Sequence, residues 1–344
     1  MDNTLDKRGE TYFLNLRFLL IVTVFVGNAI EPLINEMTGV HQLFLWILTF
    51  HMPLFVLVTG YFSKAKLHGA IGRGILVQIC LQYIIFQSLY SLLDITIFHV
   101  GSITHSFFAP YLLLWFLASH FFWRLLTLAM YKLSPIHQII ISLILGVMVG
   151  YLQLDGVWLS VSRTFVYLPF FLIGHHFNFE KFLNFFTFEK RLGAAFISTG
   201  IFVILGLWGL NLPEGWLFGS MTYMQLESYG WFAGVFRIAL YLLQFISAAA
   251  FLAWVPMYAG RITELGRRTL YVFLLHGFII RLAYSSGLYQ HIQRPLDAVV
   301  LILSAVMLTI LLAQPAVRRI AHPIIEPSIR WVSSLERRGV NRSL

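Results

Sequence analysis

The chain has 344 residues, of which 58% are hydrophobic and only 11% charged. That charged share is under half of the ~25% usual in soluble domains, so coiled-coil, disordered, collagen-like and ordinary cytosolic proteins are excluded. A single cysteine, Cys80, permits neither an internal disulfide nor a zinc cluster. The net charge of +9 accompanies long apolar runs, and so points to membrane topology and lipid contact rather than nucleic acid.

Ten apolar stretches follow in order, near 13–35, 41–62, 75–98, 110–132, 135–152, 163–178, 193–210, 233–255, 268–286 and 296–317. Each is near the ~17–25 residues that cross a bilayer. They predict an all-α integral membrane protein, a bundle of about ten transmembrane helices. No linker divides it, so residues 1–322 form one multispan domain, and residues 323–344 form a basic interfacial tail. With the N-terminus inside, only Arg163 and Arg294 fall in outer loops, and Arg17, Arg124, Arg237 and Arg281 fall within stretches. The other 18 of the 24 basic residues lie on the inner side. This positive-inside bias predicts both termini in the cytoplasm, and the expected location is the cell membrane. The longest outer loop, 211–232, carries Trp216, Tyr223, Tyr229 and Trp231, a composition that suits an interface or a lid.

The first stretch holds the most polar residues. From Arg17 to Asn28 is eleven steps, so at ~100° per step the two share one helix face, about 16 Å apart along the axis. Glu31 and Asn35 fall close to the same line, and Ile21 and Val24 occupy the gap. A charge inside a span costs ~2.5–3.5 kcal/mol on insertion scales, so such a stripe needs a partner, water or a ligand. It suits a seam satisfied by neighbouring helices, a wet path, or a translocation route.

In the second stretch His51 lies at mid-depth beside Pro53, which loosens the helix there. A histidine in this setting can transfer protons. Gly60 allows close helix packing. Lys64, Lys66 and Arg73 follow, and fit either ordinary inner-side topology or a mouth that attracts phosphates. In the later stretches His276 precedes Arg281 by five residues. His175 and His176 are adjacent, so their rings diverge by ~100° and do not chelate a metal as a pair. Walker, HExxH and GxSxG motifs are absent from the sequence.

Five blocks in order resemble the integral-membrane acyltransferase-3 family, with its O-acetyltransferase and fucose 4-O-acetylase-like bacterial members. They are Arg17 with the position eleven residues on, FHMPLFVLVTGYFSK (50–64), LLWFLASHFFWRLL (113–126), YLPFFLIGHHF (167–177) and TLYVFLLHGFI (269–279). The resemblance implies transfer of an acyl group, chiefly acetyl, from acyl-coenzyme A to a hydroxyl of a sugar or cell-envelope glycan. No metal is expected, because the adjacent His175 and His176 diverge. The resemblance assigns Arg17 to holding the donor or orienting the catalytic residue, and it puts the family's catalytic histidine at Asn28.

An amide takes up no proton at neutral pH, so Asn28 positions a hydroxyl or donates to an oxyanion instead of acting as a base. Three accounts follow: His51 carries the proton transfer, the chain binds the donor without turnover, or the position has changed from histidine. The candidate catalytic residues are Asn28, His51, Arg17 and Glu31. Arg17, Lys64, Lys66 and Arg73 are the candidates for holding the coenzyme. A transporter or exporter of a polar or glycolipid metabolite is the rival reading of the same stripe.

Overall fold

The computed structural model describes residues 7–98, 106–152, 158–183, 187–226 and 230–327. These form fourteen α-helices joined by short 3-10 turns and loops, with a π-helical turn at Asp94–Phe98 and one isolated β-bridge between Ser106 and Ala109. In chain order the helices are α1 (Lys7–Ile30), α2 (Thr38–Ser63), α3 (Gly69–Leu93), α4 (Trp115–Ala129), α5 (Pro135–Met148), α6 (Val161–His176) and α7 (Phe179–Leu183). There follow α8 (Phe188–Trp208), α9 (Glu214–Phe218), α10 (Ala233–Leu252), α11 (Arg261–Gly266), α12 (Thr269–Ser285), α13 (Pro295–Leu312) and α14 (Pro315–Ile325).

Each of the ten apolar stretches coincides with one of these helices. Six segments are long and apolar enough to cross a membrane: Lys7–Leu33, Thr38–Ser63, Gly69–Phe98, Phe188–Asn211, Gly230–Leu252 and Pro295–Leu312. That is the architecture of a multi-pass membrane protein. The helices over the other four stretches are shorter. At ~1.5 Å per residue the 15 residues of α4 span about 22 Å, less than a ~30 Å hydrocarbon core. The cause is local. α4 starts only after a 3-10 turn at Leu112–Leu114. α6 starts after Leu159 and Ser160, both at positive φ, which no straight helix tolerates. Residues 328–344, most of the expected tail, and Tyr229 lie outside the described residues.

Burial sorts the helices. In the most apolar window of the α1 and α2 spans, 72% and 78% of residues are buried, against 17% in α8 and in α13. α1 and α2 are therefore central and α8 and α13 peripheral. The exposed side chains of α13, Leu296, Val299, Val300, Leu303, Met307 and Leu311, recur at helical spacing on one face. A continuous apolar face of this kind is stable against lipid tails, not water.

The α2–α6 contact sets the geometry of the site. A Cβ on Gly60 would stand 2.0 Å from the Phe171 carbonyl oxygen, and one on Gly174 would stand 1.9 Å from the Leu57 carbonyl oxygen. Reciprocal glycines let the two backbones touch. Each helix also carries an internal proline, Pro53 and Pro169, where one ladder hydrogen bond is missing. At the end of α1 the helix gives way to a 3-10 turn, Glu31–Leu33, with Pro32 inside it. Elsewhere helix starts follow simple rules: Pro135 and Pro295 sit in the first turns of α5 and α13, and the Thr187 hydroxyl caps α8.

Candidate functional site

Two cavities lie end to end inside the bundle. The first, about 250 Å³, is lined by Asn28 of α1 and Glu31 of the turn that follows it. His51 and Phe55 of α2, Trp115 and Phe116 of α4, Arg163 of α6 and Phe218 of α9 add to its wall. Phe273, His276 and Gly277 of α12 close it. The second, about 200 Å³, is lined by Arg17 of α1, Phe55 and Thr59 of α2, and Ile75, Gln78, Ile79 and Gln82 of α3. Phe116 and His120 of α4 and Thr269, Leu270 and Phe273 of α12 complete it.

Three side chains, Phe55, Phe116 and Phe273, line both cavities. Their ring centroids are 5.3 Å (Phe55–Phe116), 5.5 Å (Phe116–Phe273) and 6.3 Å (Phe55–Phe273) apart. Three helices thus contribute one ring each to an aromatic collar between the chambers. Along α1 the apolar gap between Arg17 and Asn28 holds Ile21 and Val24, and Val24 lines the Asn28 chamber. Arg17 faces one side of the collar, and Asn28 and Glu31 face the other. The shared face expected from the eleven-residue spacing is present.

The histidines in the Asn28 chamber are held in defined tautomers. His51 Nδ1 is 2.8 Å from the Ile47 carbonyl. A carbonyl only accepts, so Nδ1 carries the proton and Nε2 presents a lone pair. His51 reaches the chamber from a helix turn loosened by Pro53. His276, fully buried, repeats the arrangement, with Nδ1 3.0 Å from the Val272 carbonyl. Its Nε2 lies 3.0 Å from Asn28 Nδ2, so the amide donates to it. Asn28 therefore uses one N–H on His276, and among the described residues its second N–H and its carbonyl oxygen have no protein partner. His276 is occupied, whereas His51 Nε2 has no protein partner among the described residues. Of the two, His51 is the one able to accept a proton without first breaking a protein hydrogen bond.

Charge is divided across the same chamber. Arg163 stacks over Trp115, guanidinium carbon to ring centroid 4.8 Å, and its Nε makes no hydrogen bond among the described residues. Glu31 faces the opening and is exposed. Phe218 belongs to the long loop, whose Trp216 and Tyr223 are buried and stacked at 5.3 Å, while Trp231 is exposed. The loop thus covers part of the chamber.

The other expected positions separate. Lys64 and Arg73 line neither cavity, and the side chain of Lys66 lies outside the described structure. Asn35 is exposed beyond the turn. His175 bonds Ser63 and His176 bonds Gln138. Among the described residues, no group of three or more His, Cys, Asp or Glu side chains could hold a metal ion. Asp94 and Arg281 form an ion pair at 3.2 Å with Tyr111 bonded to both, outside the two chambers.

His120 was not legible as a site residue, Arg163 was legible only as an outer-surface contact, and His276 was open between an interhelical hydrogen bond and a functional role. The available signal was periodic. His120 lies one helical turn after Phe116, and His276 is three residues after Phe273, so each histidine shares a face with a collar ring. No family model, curated protein or solved structure matches this chain.

Proposed function

We propose that the chain is a membrane-bound O-acyltransferase of the cell membrane, with ten crossing helices and both termini cytoplasmic. The donor is acyl-coenzyme A, in the first instance acetyl-coenzyme A, and the acceptor is a hydroxyl of a sugar or envelope glycan. One observation carries the reading: a histidine with a free Nε2 and an amide with a free N–H share a chamber that abuts, across three phenyl rings, a second chamber lined by an arginine.

The donor enters the Arg17 chamber and its thioester carbonyl reaches the collar. An acceptor hydroxyl enters from the Glu31 side, where the carboxylate accepts hydrogen bonds from neighbouring sugar hydroxyls. His51 Nε2 takes the hydroxyl proton as the oxygen attacks the thioester carbon. The free N–H of Asn28 and the unpartnered Nε–H of Arg163 are donors for the oxyanion that develops. The C–S bond then breaks, the new ester stays with the acceptor, and the proton passes from His51 to the departing thiolate. Asn28 in this reading positions and stabilises, and His51 supplies the base.

Purified protein in detergent, given acetyl-coenzyme A and a panel of sugars, tests this by release of free coenzyme A thiol. Acceptor-dependent release supports the reading. Absence of binding and turnover with every acyl-coenzyme A, including in Asn28→His, overturns it. Substrate flux into proteoliposomes lacking donor favours transport.

A further inference from the structure

An open cleft of about 500 Å³ lies outside the two chambers, lined by Arg268, Arg318, Arg319 and His322 together with Pro315 and Pro323. Its position ties it to the Arg17 chamber. Arg268 precedes Thr269 and Leu270, which line that chamber. Gln82, also in the chamber wall, donates through Nε2 to the Ile325 carbonyl at the end of α14, 2.8 Å away. Leu14, one helical turn before Arg17, touches the same end of the bundle, since Gly266 packs on its carbonyl.

The cations exceed the acids around them. Arg268 reaches Glu264 and His322 reaches Glu326, each at 3.7 Å. Arg318 and Arg319 bring two further charges to the cleft. The helical wheel of α14 separates this charge from lipid. Setting Arg318 at 0°, His322 falls near 40° and Arg319 near 100°, while Ile320 and Ile324 fall near 200° and 240°. Ile320 and Ile324 are the exposed large apolar residues of this helix. With the isoleucines in the membrane interface, the cationic face turns away from the acyl chains and toward soluble anions.

We propose that this cleft holds the phosphate groups of the donor, and that the donor's uncharged arm runs from it into the Arg17 chamber. The proposal rests on the acyltransferase reading above, and moves the phosphate site from Lys64, Lys66 and Arg73 to α14 and the start of α12. Arginine forks recognise phosphate oxygens in pairs. The chamber beyond offers what an amide-bearing arm needs: Gln78, Gln82 and Thr59 among apolar side chains. A phosphorylated head with a slender amide arm and a terminal thioester then spans cleft, chamber and collar in that order.

The test is equilibrium binding of acetyl-coenzyme A and of acetylpantetheine, which lacks the nucleotide and its phosphates, to the full chain in nanodiscs of zwitterionic lipid. Wild-type protein binds acetyl-coenzyme A more tightly, and the double variant Arg318→Gln/Arg319→Gln narrows that gap by about tenfold or more. Arg319→Gln alone, at an exposed position, gives part of the effect. An unchanged gap in the folded double variant overturns the cleft assignment and leaves the acyltransferase reading standing. Absence of binding by either compound to wild type overturns both. Loss of the gap when anionic lipid replaces zwitterionic lipid assigns the cleft to lipid headgroups and overturns the proposal.

Discussion

Replacing Phe273 by alanine opens the collar from the α12 side. Its ring is 5% exposed and stands 5.5 Å from Phe116 and 6.3 Å from Phe55. Truncating a phenylalanine in a tightly filled core costs ~3–5 kcal/mol. Here the ring already borders cavities of about 250 and 200 Å³, so fewer contacts are lost and the cost falls near the lower figure. The widened passage accepts a longer acyl group, and each methylene it buries contributes ~0.8 kcal/mol. Butyryl exceeds acetyl by two methylenes, which amounts to about 1.6 kcal/mol, or about fifteenfold in relative specificity. The assay is kcat/KM for butyryl- over acetyl-coenzyme A, followed as thiol release, with size-exclusion chromatography to verify folding. Phe273→Leu gives an intermediate ratio. A folded Phe273→Ala protein with the wild-type ratio refutes the claim that the three rings form the acyl aperture.

His51→Ala lowers turnover by about 10²–10⁴ while binding of acetyl-coenzyme A persists; undiminished turnover removes His51 from the base role. Asn28→Ala leaves the fully buried His276 Nε2 without its donor, and lowers stability by about 1–3 kcal/mol in thermal melts of the detergent-solubilised protein. An unchanged melting temperature argues that water replaces the amide at no cost. Gly174→Ala places a methyl 1.9 Å from the Leu57 carbonyl, and the forced separation of α2 and α6 costs about 1–3 kcal/mol or more; a stable, fully active variant contradicts the reciprocal-glycine contact. Arg163→Gln removes the cation stacked on Trp115, and reduces kcat more than it raises KM if the guanidinium meets the oxyanion, which steady-state kinetics reads directly.

Much of the helical layout was legible because apolar length and helical periodicity are local properties. The eleven-residue spacing put Arg17 and Asn28 on one face, and both line cavities on either side of one collar. His51 beside Pro53 enters the same chamber as Asn28, as the polarity of the first two stretches suggested. What depends on which helices meet was not legible. The collar takes one ring from each of α2, α4 and α12, and no single helix shows it. The Asn28 amide finds its partner 248 residues later, at His276. Lys64, Lys66 and Arg73 are close to Gly60 in sequence, yet the cationic cleft beside the Arg17 chamber is built from α14, whose charge reads in one dimension as a basic tail. The short α4 and α6 were masked by apolar residues that continue into non-helical turns at Leu112–Leu114 and at Leu159–Ser160.

The most direct measurement is a cryo-electron microscopy structure of the chain bound to the non-hydrolysable thioether analogue of acetyl-coenzyme A. The account places the thioether sulfur within the Phe55–Phe116–Phe273 collar, with the acetyl-equivalent carbon facing His51 Nε2 and Asn28. Analogue density on a different face of the bundle, with both chambers empty or filled by lipid, would contradict it.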